Sequence, residues 1–321
     1  EGHGNVAMGC VAMGANTTGD YNVGIGYRAL DANTTADSNV AVGNQALSAN
    51  TTGAQNVATG ACALNANTTG ANNAAFGFCA SAAGTTANLN TAIGNFALKV
   101  SEAGCKNTAV GYQSMFDATS AECNVALGAY SLANNTTANF NTALGACTLG
   151  ASDVNTGDSN IAIGRKSLFD NTSGEKNVAV GGSSLENNTT AACNTAVGHV
   201  ALQTNTTGHS NVAVGMCALA TNSDGDTNTA VGHHALKLNT TAADNTGIGR
   251  NALCSTTTGC VNTALGSSAM QVNSTGDNNV AIGGSTLFNN TTADNNLSLI
   301  HISEPTRPER IADAGVWVEK K

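Results

Sequence analysis

The residues whose types could do chemistry in this chain are ten cysteines, six histidines and one closely spaced acidic pair. Cys10, Cys62, Cys79, Cys105, Cys123, Cys147, Cys193, Cys217, Cys254 and Cys260 could pair, attack or take a soft metal ion. They include no Cys-x-x-Cys and form no disulfide framework. His3, His199, His209, His233, His234 and His301 lie outside any His-Glu-x-x-His pattern. Asp224-Gly225-Asp226 offers carboxylate oxygens to Ca²⁺, and reads more simply as an Asp-Gly turn. Neither a Gly-x-Ser-x-Gly elbow nor a phosphate loop is present. We expect no catalysis, no cofactor and no bound metal.

What must position these residues is an internal repeat. Asn followed by a short apolar run and Gly recurs at Asn5, Asn22, Asn39, Asn56, Asn73, Asn90, Asn107, Asn124, Asn141, Asn160, Asn177, Asn194, Asn211, Asn228, Asn245, Asn262, Asn279 and Asn296. Each interval is 17 residues except the 19 between Asn141 and Asn160, a two-residue insertion near Gly150–Asp153 that is expected to bulge outward at a turn. Residues 1–296 thus hold seventeen repeats of N-[VT]-A-[VI]-G-x-x-[AS]-L-x-x-N-T-T-[GA]-x-x. Numbered from the Asn, position 5 is Gly in all seventeen, Gly43 and Gly215 among them. The Gly-x-Gly pairs such as Gly24-Ile25-Gly26 and Gly247-Ile248-Gly249 are part of this grammar rather than nucleotide loops.

Seventeen residues cannot hold two helices and a turn, whereas Asn211-Val212-Ala213-Val214-Gly215 alternates as a short strand. The expected fold is all-β: a parallel β-solenoid, or β-roll, of 17-residue rungs stacked about 4.8 Å apart into a rod of roughly 80 Å. Bends are expected at the position-5 Gly and at the Gly or Ala of position 15. On that spacing His199 and His233, two rungs apart at one position, lie about 10 Å from each other, too far to share a metal ion.

Stacking turns each repeat position into a column. The Leu column, with Leu30, Leu47, Leu64, Leu98, Leu132 and Leu219 and Met13, Met115 and Met270, is the expected core, together with position 4 (Ile25, Val42, Val110, Val180, Ile282). The Asn column, including Asn39, Asn56 and Asn211, should form an amide ladder at the core's rim. Position 3 is Ala in every repeat except Gly24 and Gly247. With positions 2 and 4 turned in, Ala41, Ala109 and their equivalents would face out as a flat strip closed by other copies. The opposite facing would instead leave a Val/Ile strip outside.

Cys62 and Cys79 share a position on adjacent rungs, within disulfide reach or stacked as free thiols. The Asn-Thr-Thr segment carries sequons at Asn16, Asn33, Asn50, Asn67, Asn135, Asn171, Asn188, Asn205, Asn239, Asn273 and Asn290. These could bear glycans along one edge, form a hydroxyl array like that of ice-binding solenoids, or simply make a turn bonded to local backbone.

Asn39-Val40-Ala41-Val42-Gly43-Asn44-Gln45-Ala46 resembles the head repeat of trimeric autotransporter adhesins. Ala201-Leu202-Gln203-Thr204-Asn205-Thr206-Thr207-Gly208 is similar to arrays in phage tail-fibre-like and bacterial surface proteins. The resemblance spans residues 1–296 and implies a left-handed β-roll packed as a homotrimer, although the 17-residue period is longer than the usual head repeat. The expected function is a structural and adhesive rod of an extracellular fibre, on a cell surface or a virion tail, meeting a host-surface, matrix or glycan receptor. The alternative is a secreted ice-binding or other lattice-matching solenoid.

Composition agrees with a thin core: 41% apolar but only 4% aromatic and 10% charged. A net charge of -9 disfavours nucleic acid and anionic lipid as partners, and no apolar run is long enough to span a bilayer. After Asn296 the grammar stops, and Leu297-Ser298-Leu299-Ile300-His301-Ile302-Ser303-Glu304-Pro305-Thr306-Arg307 resembles a translated sequencing adapter. Residues 297–321 are therefore expected to be foreign to the array, which would continue in the natural protein; a true capping tail is the alternative.

Overall fold

The alternation of the repeat is realised as a parallel β-solenoid in the computed structural model, which describes residues 2–150 and 154–299. Its strands run from β1 (Val6–Met8) to β18 (Leu297–Ser298), and the first seventeen span three residues each. Every strand pairs in parallel with the next in the chain, residue for residue: Val40 opposite Val57, Ala41 opposite Ala58, Val42 opposite Thr59. One rung feeds the next through backbone bonds such as Val23 N–H to Asn39 O (2.8 Å) and Leu47 N–H to Ala63 O (2.9 Å). No helix occurs among the described residues, and none is long and apolar enough to cross a membrane.

The facing of the strands corrects the expectation. Position 3 points inward: Ala41, Ala109, Ala126 and Ala143 are all 0% exposed. Positions 2 and 4 point outward, so Ile25, Val42, Val110 and Val180 are only half-buried and Ile282 is exposed. The reason is volume. Sixteen of the seventeen rungs place a large side chain in their centre at position 9, Leu47 and Leu219 among them and Ser81 the exception, and the strand can approach it only with a methyl group between them. Where position 8 is Ser or Thr, its hydroxyl donates to the position-5 carbonyl of its own rung, as Ser131 does to Gly128 O (2.9 Å) and Ser184 to Gly181 O (2.9 Å).

The bends also differ from expectation. Gly43 (φ 140°) and Gly215 (φ 135°) do need to be glycine, since a β-carbon on Gly43 would sit 2.5 Å from Gly60 O. Position 15 turns without a left-handed residue. The remaining corners are instead made by non-glycine residues at positions 7, 9 and 17, for example Gln45 (φ 55°), Leu47 (φ 51°) and Gln55 (φ 59°). Position 9 must both turn the chain and fill the core, and glycine could do only the first.

The insertion resolves into two changes. Asn135 follows Leu132 by three positions, but Asn155 follows Leu149 by six and rejoins the stack by donating from Nδ2 to Asn135 Oδ1 (2.8 Å). One Thr is then missing, as Asn155-Thr156-Gly157 replaces Asn135-Thr136-Thr137-Ala138. The expected outward bulge falls on residues 151–153, outside the described residues. At the far end Leu297 and Ser298 pair with Val280 and Ala281, continuing the sheet past Asn296. The reading of the tail as foreign falls, from residue 300 on, outside the described residues.

Candidate functional site

Two columns of Asn line the interior. At position 1 the amide does not bond its copies on both sides through side chains alone, as expected at a rim; it is buried and bonds chiefly to backbone. Asn39 Oδ1 accepts from the Asn56 N–H (2.9 Å), while Asn39 Nδ2 donates to Gly53 O (3.0 Å), closing its own rung. Asn211 repeats this with Gly225 O (2.8 Å). The pattern crosses the insertion, where Asn160 N–H donates to Asn141 Oδ1 (2.8 Å).

The second column, at position 12, holds the sequon asparagines together with Asn155 and Asn222, and is interrupted at Gly84, Ser101, Ala118 and Thr256. Asn50 Nδ2 donates to Asn33 Oδ1 (3.0 Å), Asn67 to Asn50 (2.9 Å), Asn188 to Asn171 (2.8 Å), Asn205 to Asn188 (3.2 Å) and Asn239 to Asn222 (2.6 Å). Asn135 Nδ2 donates to Ala138 O (2.9 Å), and Asn16 and Asn290, near the ends, are half-buried. An Nδ2 that donates inside a dry ladder is not open to a glycan in the folded rod, so the geometry favours the turn reading. Of the two Thr that follow, the first donates its hydroxyl to the next rung, Thr51 Oγ1 to Thr68 O (3.0 Å), and the second, such as Thr52 and Thr69, forms an exposed column.

The chemistry-bearing side chains stay dispersed. Asp224 accepts from Thr207 (2.7 Å), Asp226 Oδ1 accepts the His209 N–H, and the hydrogen bonds to Asp224 hold its carboxyl below the usual range, although slight burial opposes them. Asp226 belongs to a position-16 column that sequence reasoning missed. There a side chain accepts the backbone N–H one rung back, as Asp37 does from Asp20 and Asp294 from Asp277. All ten thiols are free; burial pushes the Cys79 thiol up, and neighbouring Cys62 adds to the effect. His233 and His234 stack with ring centroids 3.7 Å apart. Among the described residues no group of three or more His, Cys, Asp or Glu side chains could hold a metal ion.

Two surfaces remain. One is the outward face of the sheet, whose positions 2 and 4 carry no charged residue in any rung and only Thr as a polar one. Its large side chains stand in water, Leu127 at 47% and Ile161 at 40% exposure among them. The other lies at positions 6 and 7, on the corner after each position-5 Gly. Over four successive rungs Phe78, Phe96, Tyr112 and Tyr130 step between the two columns with centroids 5.2, 6.3 and 5.4 Å apart, each pair edge to face. The sequence offered the first surface only as the alternative facing of the strand; the second was not read from it, although aligning positions 6 and 7 across neighbouring rungs would have exposed it. No protein-family model matches this chain, and no curated protein matches it.

Proposed function

We propose that the chain is a non-enzymatic structural and adhesive rod segment of an extracellular fibre, of the kind a bacterial surface adhesin head or a phage tail fibre contains. Copies pack side by side along the outward strip of positions 2 and 4, as a homotrimer of left-handed β-rolls by the resemblance of the repeat. The observation that supports this is the strip itself: an uncharged apolar face along the whole sheet is far longer than a soluble monomer usually leaves bare. Its columns repeat at the rung spacing, so the surface that matches them throughout is a second rod with the same period. Such a rod would hold a tip away from a cell or virion surface and offer its side wall for weak, repeated contact.

Sedimentation equilibrium of the whole chain tests the reading. A mass three times that of the chain is expected, and replacing Leu127 and Ile161 by Lys should lower it, since unpaired charges would have to be buried in the seam. A parent protein that stays monomeric at all concentrations would overturn the proposal.

A further inference from the structure

The corner formed by positions 6 and 7 carries one aromatic ring in each of four rungs, with a carboxamide beside it in the two central ones and Cys79 and Ala129 beside it in the outer two. Position 6 reads Phe78, Asn95, Tyr112, and position 7 reads Phe96, Gln113, Tyr130, so rings and carboxamides alternate along both columns as a checkerboard. Phe78, Tyr112 and Tyr130 are 46%, 44% and 42% exposed. Each ring braces the next edge to face, which fixes the row without covering it. Asn95 accepts the Phe78 N–H through Oδ1 (3.1 Å), while its Nδ2 and the Gln113 carboxamide make no protein hydrogen bond among the described residues. Lys99 lies over Phe96 and Phe116 with Nζ 5.5 and 5.0 Å from their centroids, closing one flank. Elsewhere these two columns hold mostly small or polar residues, so the cluster is a local departure from the repeat.

We propose that this checkerboard binds an extended neutral polysaccharide of β-1,4-linked pyranoses lying along the rod axis. The inference rests on the reading of the chain as an adhesive rod and gives that rod a ligand class. Sugar rings present apolar C–H faces to aromatic rings and hydroxyls to carboxamides, and both partners alternate here. Successive rings, 5.2–6.3 Å apart as they step between the two columns, advance by one rung, about 4.8 Å, along the axis, close to the length of one pyranose in an extended chain. In a β-1,4 ribbon every second sugar shows the same face, and like positions of the checkerboard recur every second rung, about 10 Å apart. A helical α-glucan does not follow a straight row. The net charge of -9 opposes an acidic polymer.

Native electrophoresis of the full chain through gels containing hydroxyethyl cellulose, with dextran gels as the α-linked control, tests this. The parent should be retarded by the β-1,4 polymer alone. Tyr112→Ala should weaken that retardation roughly tenfold, and Tyr27→Ala, at the same repeat position outside the cluster, should leave it unchanged. Should Tyr112→Ala lose its β circular-dichroism signal, Gln113→Leu replaces it and should also reduce binding. No retardation of the parent, equal retardation by dextran, or full binding by a folded Tyr112→Ala would overturn the proposal. Sedimentation of the same samples separates the two readings: an oligomer that ignores the polysaccharide sinks only this one.

Discussion

Asn56 is tied to Asn39 twice through one oxygen: its backbone N–H and its Nδ2 both donate to Asn39 Oδ1, at 2.9 and 3.2 Å. The same Nδ2 reaches Gly70 O at 2.8 Å, so one side chain joins two rungs and closes its own. Asn56→Ala leaves the Asn73 N–H, which Asn56 Oδ1 accepts at 3.0 Å, without a buried partner. We expect a loss of about 1–3 kcal/mol in urea unfolding, because an orphaned buried donor costs its full desolvation.

The position-12 ladder has gaps, and they leave visible orphans. Asn239 Oδ1 and Thr256 Oγ1 are buried without partners because Thr stands where the next Asn should be. Thr256→Asn supplies a donor to Asn239 Oδ1 and an acceptor for Asn273 Nδ2. It should raise stability by about 1–3 kcal/mol, read as a shift in the urea midpoint. An unchanged or lowered midpoint would show that the gap is satisfied in another way.

Strain at the corners predicts the opposite of the usual effect of glycine. Val261 holds φ 59° at position 17 with its β-branched side chain 51% exposed, so the strain is not repaid by burial. Val261→Gly should stabilise the rod by about 1 kcal/mol by relieving that clash, net of the entropy glycine loses on folding. Differential scanning calorimetry would report it as a higher Tm.

The period, the parallel stacking, the position-1 Asn column and the central Leu were legible because position 1 is Asn in all seventeen repeats and position 9 is Leu or Met in sixteen of them. Which way the strand faced was not. In Val40-Ala41-Val42 the hydrophobicity of the Val pair argues for the inside, yet space beside Leu47 admits only the methyl of Ala41, and that distance is absent from a single strand's pattern. Non-glycine corners such as Leu47 were hidden for a related reason: residue preference favours glycine there, and the need for a core side chain overrides it. The ring row at Phe78, Phe96, Tyr112 and Tyr130 was obscured because its members alternate between two repeat positions and so look like drift within either one.

The central claim is the division of each strand into an inner Ala and outer apolar neighbours that join copies, and adjacent residues of one strand test it. Ala126 is buried and Leu127 is exposed beside it. Paired thermal melts and sedimentation runs on Ala126→Asp and Leu127→Asp should separate the two roles. Ala126→Asp is predicted to unfold its rung and those packed on it, since a carboxylate would enter a dry core. Leu127→Asp is predicted to keep its β signal and lose mass in sedimentation. A folded Ala126→Asp that merely dissociates, with Leu127→Asp unfolding, would contradict the account.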